Sequence, residues 1–174
     1  GLRDGSISTV ATDHAPFDFE TQKHMGHPDP AKCLKADFQP SGKPGNFSLI
    51  PNGIPSIEER IKLLYTDGVL SGKISLETLV AVASTNAAKV FGLYPKKGEI
   101  AVGSDADIVV FDPNSTSTIS AKTHHMATDY SAFEGRRVSG QIRDVTVRGR
   151  FVVRSGALVV GEGGGRYLAR PCTH

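Results

Sequence analysis

Ser6-Ile-Ser-Thr-Val-Ala-Thr-Asp-His-Ala-Pro16 is the stretch on which the reading of this chain turns. Ile7, Val10 and Ala11 form a short apolar run, predicted to be a buried strand. The run stops at Thr12, Asp13 and His14, and Pro16 blocks a simple continuation in a sheet. A carboxylate and an imidazole at the end of a buried strand are well placed for chemistry, because α/β folds put ligand sites at the carboxyl ends of their strands. The plainer alternative is a turn. Asp13 caps backbone N–H groups and His14 bonds a neighbouring carbonyl, and on the residues alone this reading comes first.

Working outward, residues 17–26 suggest at most one helical turn, and His27–Asn46 is a long stretch rich in Pro, Gly, Lys and Asp without periodicity. A loop of that length is a lid, a binding loop or an idle excursion. His24 and His27 lie three apart, but Gly26 and Pro28 oppose a helix that would align them, and no third ligand is near. Ser56 and Glu59 have the spacing of a capping box, opening a helix with Ile57, Ile61 and Leu64 on one side and Gly68 at its end. Ser75 opens the next helix, with Leu76, Leu79, Val80 and Ala83 inward, and Asn86 opens a third that buries Val90 and Phe91 before Gly92.

After Tyr94-Pro95 the period changes. Strands are predicted at 98–103, 106–111, 145–153 and 157–160, with a turn or bulge at Arg148-Gly149 and a hairpin turn at Ser155-Gly156. The boundary between an α/β part, 1–95, and a β-rich part, 96–174, is placed there. Asp105 and Asp107 are expected to shape the turn into the strand at Ile108, and Lys96-Lys97 to be solvated surface.

The motifs together resemble one family. Thr12-Asp-His-Ala-Pro-Phe17, Ile50-Pro-Asn-Gly-Ile-Pro-Ser-Ile-Glu-Glu-Arg60, Ser84-Thr-Asn-Ala-Ala-Lys-Val-Phe-Gly-Leu-Tyr-Pro95, Gly98-Glu-Ile-Ala-Val-Gly-Ser-Asp-Ala-Asp107 and Ile119-Ser-Ala-Lys-Thr-His-His-Met126 follow in the order found in the hydantoinase/dihydropyrimidinase family of the amidohydrolase superfamily. Gly165-Arg-Tyr167 fits it too. The resemblance implies an α/β fold: the last strand and helices of a TIM barrel, then a small β-rich domain of β-sandwich type. A (β/α)₈ barrel alone takes about 250 residues. The 174 residues here therefore read as the C-terminal part of a longer enzyme.

The implied activity is ring opening of cyclic amides or imides, such as dihydropyrimidines and hydantoins. That reaction needs a strong nucleophile at neutral pH and a proton for the departing nitrogen, which zinc-bound water and a carboxylate base supply. By the resemblance, Asp13 ligates one of two zinc ions and shuttles the proton, His14 orients its surroundings, and Asn52 in the Pro-Asn-Gly turn holds the ring through backbone groups. The other zinc ligands (a His-x-His pair, a carboxylated lysine and further histidines) are not in this chain, which alone is expected neither to hold two zincs nor to turn over substrate. A homotetramer is implied for the complete enzyme. His124 and His125 are expected in a structural or subunit-interface role, since adjacent residues of an extended segment face opposite sides. The alternative is a non-catalytic scaffold of similar fold, like the collapsin-response mediator proteins, which keep the Ser84–Lys89 and Ala101–Asp107 blocks but lose metal-site residues. Asp13 and Asn52 favour the enzyme.

Composition narrows the classes. A net charge of +2 with no basic run argues against a nucleic-acid or membrane-surface partner, and no apolar run approaches membrane length. Cys33 and Cys172, far apart and without metal spacing, read as free thiols ahead of a disulfide, which with the absence of a leader pattern points to the cytoplasm.

Overall fold

The computed structural model describes residues 1–27, 47–161 and 163–170. The stretch read as a lid, binding loop or idle excursion, His27–Asn46, lies from residue 28 on outside the described residues, as do both cysteines. The chain divides into two compact units, Gly1–Ala11 with Ile61–Ser117 and Val138–His174, and Thr12–Arg60 with Thr118–Arg137.

In the first unit, helix α1 (Arg60–Leu63) runs on as a π-helical stretch, Leu64–Leu70. The Thr66 hydroxyl bonds back to the Lys62 carbonyl at 2.8 Å, one of the side-chain insertions that loosen a helical ladder. The helix passes through Gly68, predicted as its end, and stops only at Ser71-Gly72, where the Gly72 N–H reaches the Val69 carbonyl. Ser75 caps α2 (Leu76–Val80) as expected: its hydroxyl accepts the Thr78 N–H at 3.1 Å. A second π stretch, Ala81–Thr85, joins α2 to α3 (Asn86–Val90) without a break. Such a stretch offsets the side chains that follow it from a 3.6-residue period. Beyond it Ala88 is buried while Val90 and Phe91, expected inward, are more than half exposed; ahead of it Leu79 is buried while Leu76 and Val80, also expected inward, are about half exposed.

The predicted strand at 7–11 does not form. Val10 N–H meets the Val82 carbonyl and Asn86 Nδ2 meets the Ser8 carbonyl, but no ladder is assigned there and Ile7 is half exposed. A strand exists only beside a partner, and no described segment lies alongside this one as a ladder. The same reason undoes the predicted strand at 98–103, which is turns and bends with Ile100 exposed.

The sheet has four strands in the order β1 (Val109–Thr118), β2 (Arg137–Val147), β3 (Arg150–Arg154), β4 (Ala157–Leu158). β1 extends past the predicted end at Phe111, straight through Pro113, which is tolerated because β1 lies at the sheet edge. β2 and β3 pair antiparallel with Thr146 opposite Phe151 and a bulge between Val145 and Thr146; β3 and β4 pair antiparallel with Val153 opposite Leu158. The hairpin turn expected at Ser155-Gly156 is present, and at Arg148-Gly149 the structure has a turn, the bulge lying upstream at Val145/Thr146. Arg148-Gly149 and Ser155-Gly156 take positive φ at both positions, the type I′ geometry whose twist suits a two-residue hairpin. Carboxylates hold them: Asp107 accepts the Arg148 N–H at 2.7 Å and Asp144 the Ser155 N–H at 2.8 Å. Phe111 lies over Gly140 and meets the Tyr65 ring edge-on at 4.8 Å.

Lys96 and Lys97 are not idle surface. Lys96 pairs with Asp105 at 2.8 Å, and Lys97 bridges Asp105 and Asp107. Hydrogen bonds from Lys96 and then Lys97 hold the Asp105 carboxyl down at about 2, well under its ordinary value of 3.8. Desolvation of Asp107 works the other way, but Lys97 and the Arg148 N–H outweigh it and its pKa is also lowered. A depressed carboxyl contributes stability above its unfolded pKa and loses it as pH falls through its folded one. The stability difference between the parent protein and D105N is thus expected to be fully present above pH about 4 and to vanish towards pH about 2. Melting curves of the two proteins across that range measure it.

In the second unit half of the described buried residues are polar: Ser56, Glu59 and Ser131, beside Gly26, Pro55 and Ile119. Ile119 exchanges backbone bonds with Gly135 and Arg136, closing the loop between β1 and β2.

Candidate active site

The second unit brings Thr12–Ala15 and Pro51–Ser56 side by side. Ala15 N–H donates to the Ile54 carbonyl at 3.3 Å, Ser56 N–H to His14 Nδ1 at 3.1 Å, and the Ser56 hydroxyl to the Thr12 carbonyl at 3.2 Å. These bonds replace the predicted capping box. Ser56 spends its hydroxyl and its N–H on the 12–14 segment, residues 57–59 form a turn, and the helix starts only at Arg60. Glu59 instead sits 1 % exposed, one carboxylate oxygen accepting from the Ser131 hydroxyl at 3.4 Å.

Because His14 Nδ1 accepts, its proton sits on Nε2 in the neutral ring. His14 is therefore an anchor, holding the segment on either side of Asp13. Asp13 is exposed at φ 47°, a left-handed conformation that Asp tolerates better than most residues. No backbone amide among the described residues caps its carboxylate, so the cap alternative does not describe it.

Asn52 is exposed, and its backbone N–H and C=O, with the Gly53 N–H, take no partner among the described residues. Gly53 is the point of closest approach. At φ 117° a side chain would be strained, and a Cβ would fall 2.4 Å from Ala15 Cβ and 2.9 Å from the Ala15 carbonyl oxygen. Gly53→Ala is expected to destabilise the protein by about 2–3 kcal/mol and to raise KM in the full-length enzyme by forcing the two segments apart. Urea unfolding and steady-state kinetics on the same preparation read both effects.

Sequence reasoning missed Lys23, for which no local pattern exists. It lies on the 3₁₀ turn Lys23–Gly26, and its ammonium bonds the carbonyls of both Pro51 and Gly53. His24 and His27 form no metal pair: their rings meet edge-on at 5.4 Å, and His24 meets Phe19 at 4.8 Å. His125 turns to Glu58, which takes its N–H at 2.6 Å, while His124 Nδ1 accepts from Met126 N–H.

Residues 1–152 match the Amidohydrolase family. The chain belongs to that family. It is 45% identical to a D-hydantoinase of Geobacillus stearothermophilus and 43% identical to a dihydropyrimidinase of Rattus norvegicus, in each case over 97% of this chain. It spans about a third of their length, 32% and 29%. Among solved structures, a D-hydantoinase from Bacillus sp. AR9 superposes with a TM-score of 0.85 at 47% identity, over 97% of this chain and 33% of that one. A dihydropyrimidinase from Brevibacillus agri gives 0.79 at 47%, over 91% and 31%.

Amidohydrolases are generally metal-dependent. The described residues do not by themselves fit a metal: no three His, Cys, Asp or Glu side chains cluster among them, and Asp13 offers one carboxylate where catalytic zinc takes three protein ligands. No described helix is long and apolar enough to cross a membrane.

Proposed function

We propose that this chain is the C-terminal third of a cyclic-amide hydrolase that opens dihydropyrimidine or hydantoin rings. The observation that carries the reading is that Asp13, exposed and uncapped among the described residues, lies on a segment bonded to the one that holds exposed Asn52, whose backbone donor and acceptor are unspent among the described residues. Its support outside the chain is the run of D-hydantoinase and dihydropyrimidinase relatives. A cyclic amide offers an N–H and a C=O side by side, the complement of the groups that Asn52 presents. Asp13 is the proton carrier of this reading: its carboxylate takes a proton from the attacking water and returns it to the ring nitrogen as the C–N bond breaks. His14 and Ser56 hold Asp13 in place.

We assign two zinc ions to the complete enzyme, with Asp13 as the ligand this chain contributes and the others coming from elsewhere in the protein. Zinc supplies a water acidified towards neutrality. Residues 1–95 then end a TIM barrel, 96–174 form a β-rich domain of sandwich type, and the whole assembles as a cytoplasmic homotetramer. Full-length protein is expected to open dihydrouracil or hydantoin, to lose that activity on chelation and to regain it with zinc. Quantifying the ring-opened acid by chromatography decides it. Folded, zinc-loaded protein that opens neither ring overturns the assignment in favour of the non-catalytic scaffold.

A further inference from the structure

Lys23 stands outside every motif that led to the site, yet it is the residue most directly bonded to the Pro51–Gly53 turn. From the geometry we infer that Lys23 is a positioning residue for substrate recognition, fixing the backbone of Asn52 through the carbonyls on either side of it. The inference rests on the proposed function above, in which that backbone holds the ring.

The reasoning is one of peptide planes. In a trans peptide the C=O and the following N–H point in opposite directions. Binding the Pro51 carbonyl to Lys23 therefore turns the Asn52 N–H away from the ammonium, and binding the Gly53 carbonyl does the same to the Ile54 N–H. The next plane is held by Ala15 N–H on the Ile54 carbonyl. With the planes on both sides secured, the Asn52–Gly53 plane is held at its two ends while its own C=O and N–H stay unpartnered among the described residues. A charged donor suits this role, because its hydrogen bonds are stronger than neutral ones and one ammonium serves two acceptors at once.

Lys23 is itself held from several directions. Its N–H and that of Gln22 donate to the Asp18 carbonyl at 3.0 and 3.1 Å, and Gln22 Oε1 accepts the Asp18 N–H at 2.7 Å. Asp129 accepts the N–H groups of Phe19 and Glu20 at 2.6 and 2.9 Å. The Phe17 ring lies 5.2 Å from the ammonium, close enough for a cation–π contact. An ammonium used only for solubility has no need of such a mount.

The test uses the full-length enzyme with dihydrouracil as substrate and compares K23M and K23C with the parent. Both variants are expected to raise KM about tenfold or more while lowering kcat much less, since ring binding and not proton transfer is disturbed. Treating K23C with 2-bromoethylamine rebuilds a lysine-like ammonium and is expected to bring KM back towards the parent value, with parent protein treated alike as the control for its native cysteines. Parent-like KM in K23M overturns the inference. So does a loss of kcat with KM unchanged, or failure of both variants to fold, which would make Lys23 a purely structural residue. An inactive parent enzyme would instead sink the hydrolase reading, so the two failures are distinct.

Discussion

Asp13→Asn in the full-length enzyme is expected to lower kcat/KM for ring opening by about 10³-fold or more while leaving the melting temperature nearly unchanged. The two halves of that expectation have separate causes. Asn keeps the size of the side chain and is among the few residues that accept left-handed backbone, so the φ of 47° at position 13 survives the change. Little stability rests on the carboxylate, which is exposed and accepts no hydrogen bond among the described residues. What disappears is a negative charge and a basic oxygen, the properties a metal ligand and proton carrier need. Product formation by chromatography, metal content by elemental analysis and a circular-dichroism melt on one preparation read all three. Activity within about tenfold of the parent would remove Asp13 from the chemistry.

The second large effect is on folding. Gly140→Ala is expected to destabilise the protein by about 3 kcal/mol or more, read from denaturant unfolding. Two costs add. Gly140 has φ 85°, where a side chain meets its own carbonyl, and a Cβ there would fall 2.0 Å from Phe111 Cζ and under 3 Å from Cε1. The aromatic ring cannot retreat freely, since it is also stacked edge-on against Tyr65. The costs separate in a double-mutant cycle. Phe111→Leu clears the space above position 140, so the double variant recovers the crowding term while the backbone strain remains. Full additivity of the two changes would show that Phe111 is not what Gly140 makes room for.

Sequence and structure agree where the physics is local. Ser75 caps its helix because a hydroxyl one step before a helix reaches a free N–H whatever surrounds it. Gly149 and Gly156 supply positive φ at low cost to the hairpin turns, while Arg148 and Ser155, at φ 49° and 51°, are held there by Asp107 and Asp144. The runs at 7–11 and 98–103 failed as strands for the opposite reason, since β-propensity has no effect without a neighbour to pair with. The capping-box spacing of Ser56 and Glu59 was equally real but lost to partners 42 and 44 residues away, His14 and Thr12. The inward face of α3 differs from the expected one because a π stretch, invisible in the composition, displaces the period just before it.

By itself, the sequence determined which family this chain belongs to, the location of its acidic candidate at residue 13 and the hairpin at Ser155-Gly156, each carried by short motifs of neighbouring residues. Only the tertiary structure decided that His14 is an anchor accepting from Ser56, that Lys96 and Lys97 are tied to Asp105 and Asp107, and that Lys23 grips the turn around Asn52. Each of these is a hydrogen bond or ion pair between side chains and groups with no fixed spacing in sequence. Their energy depends on distances that exist only once the chain has folded.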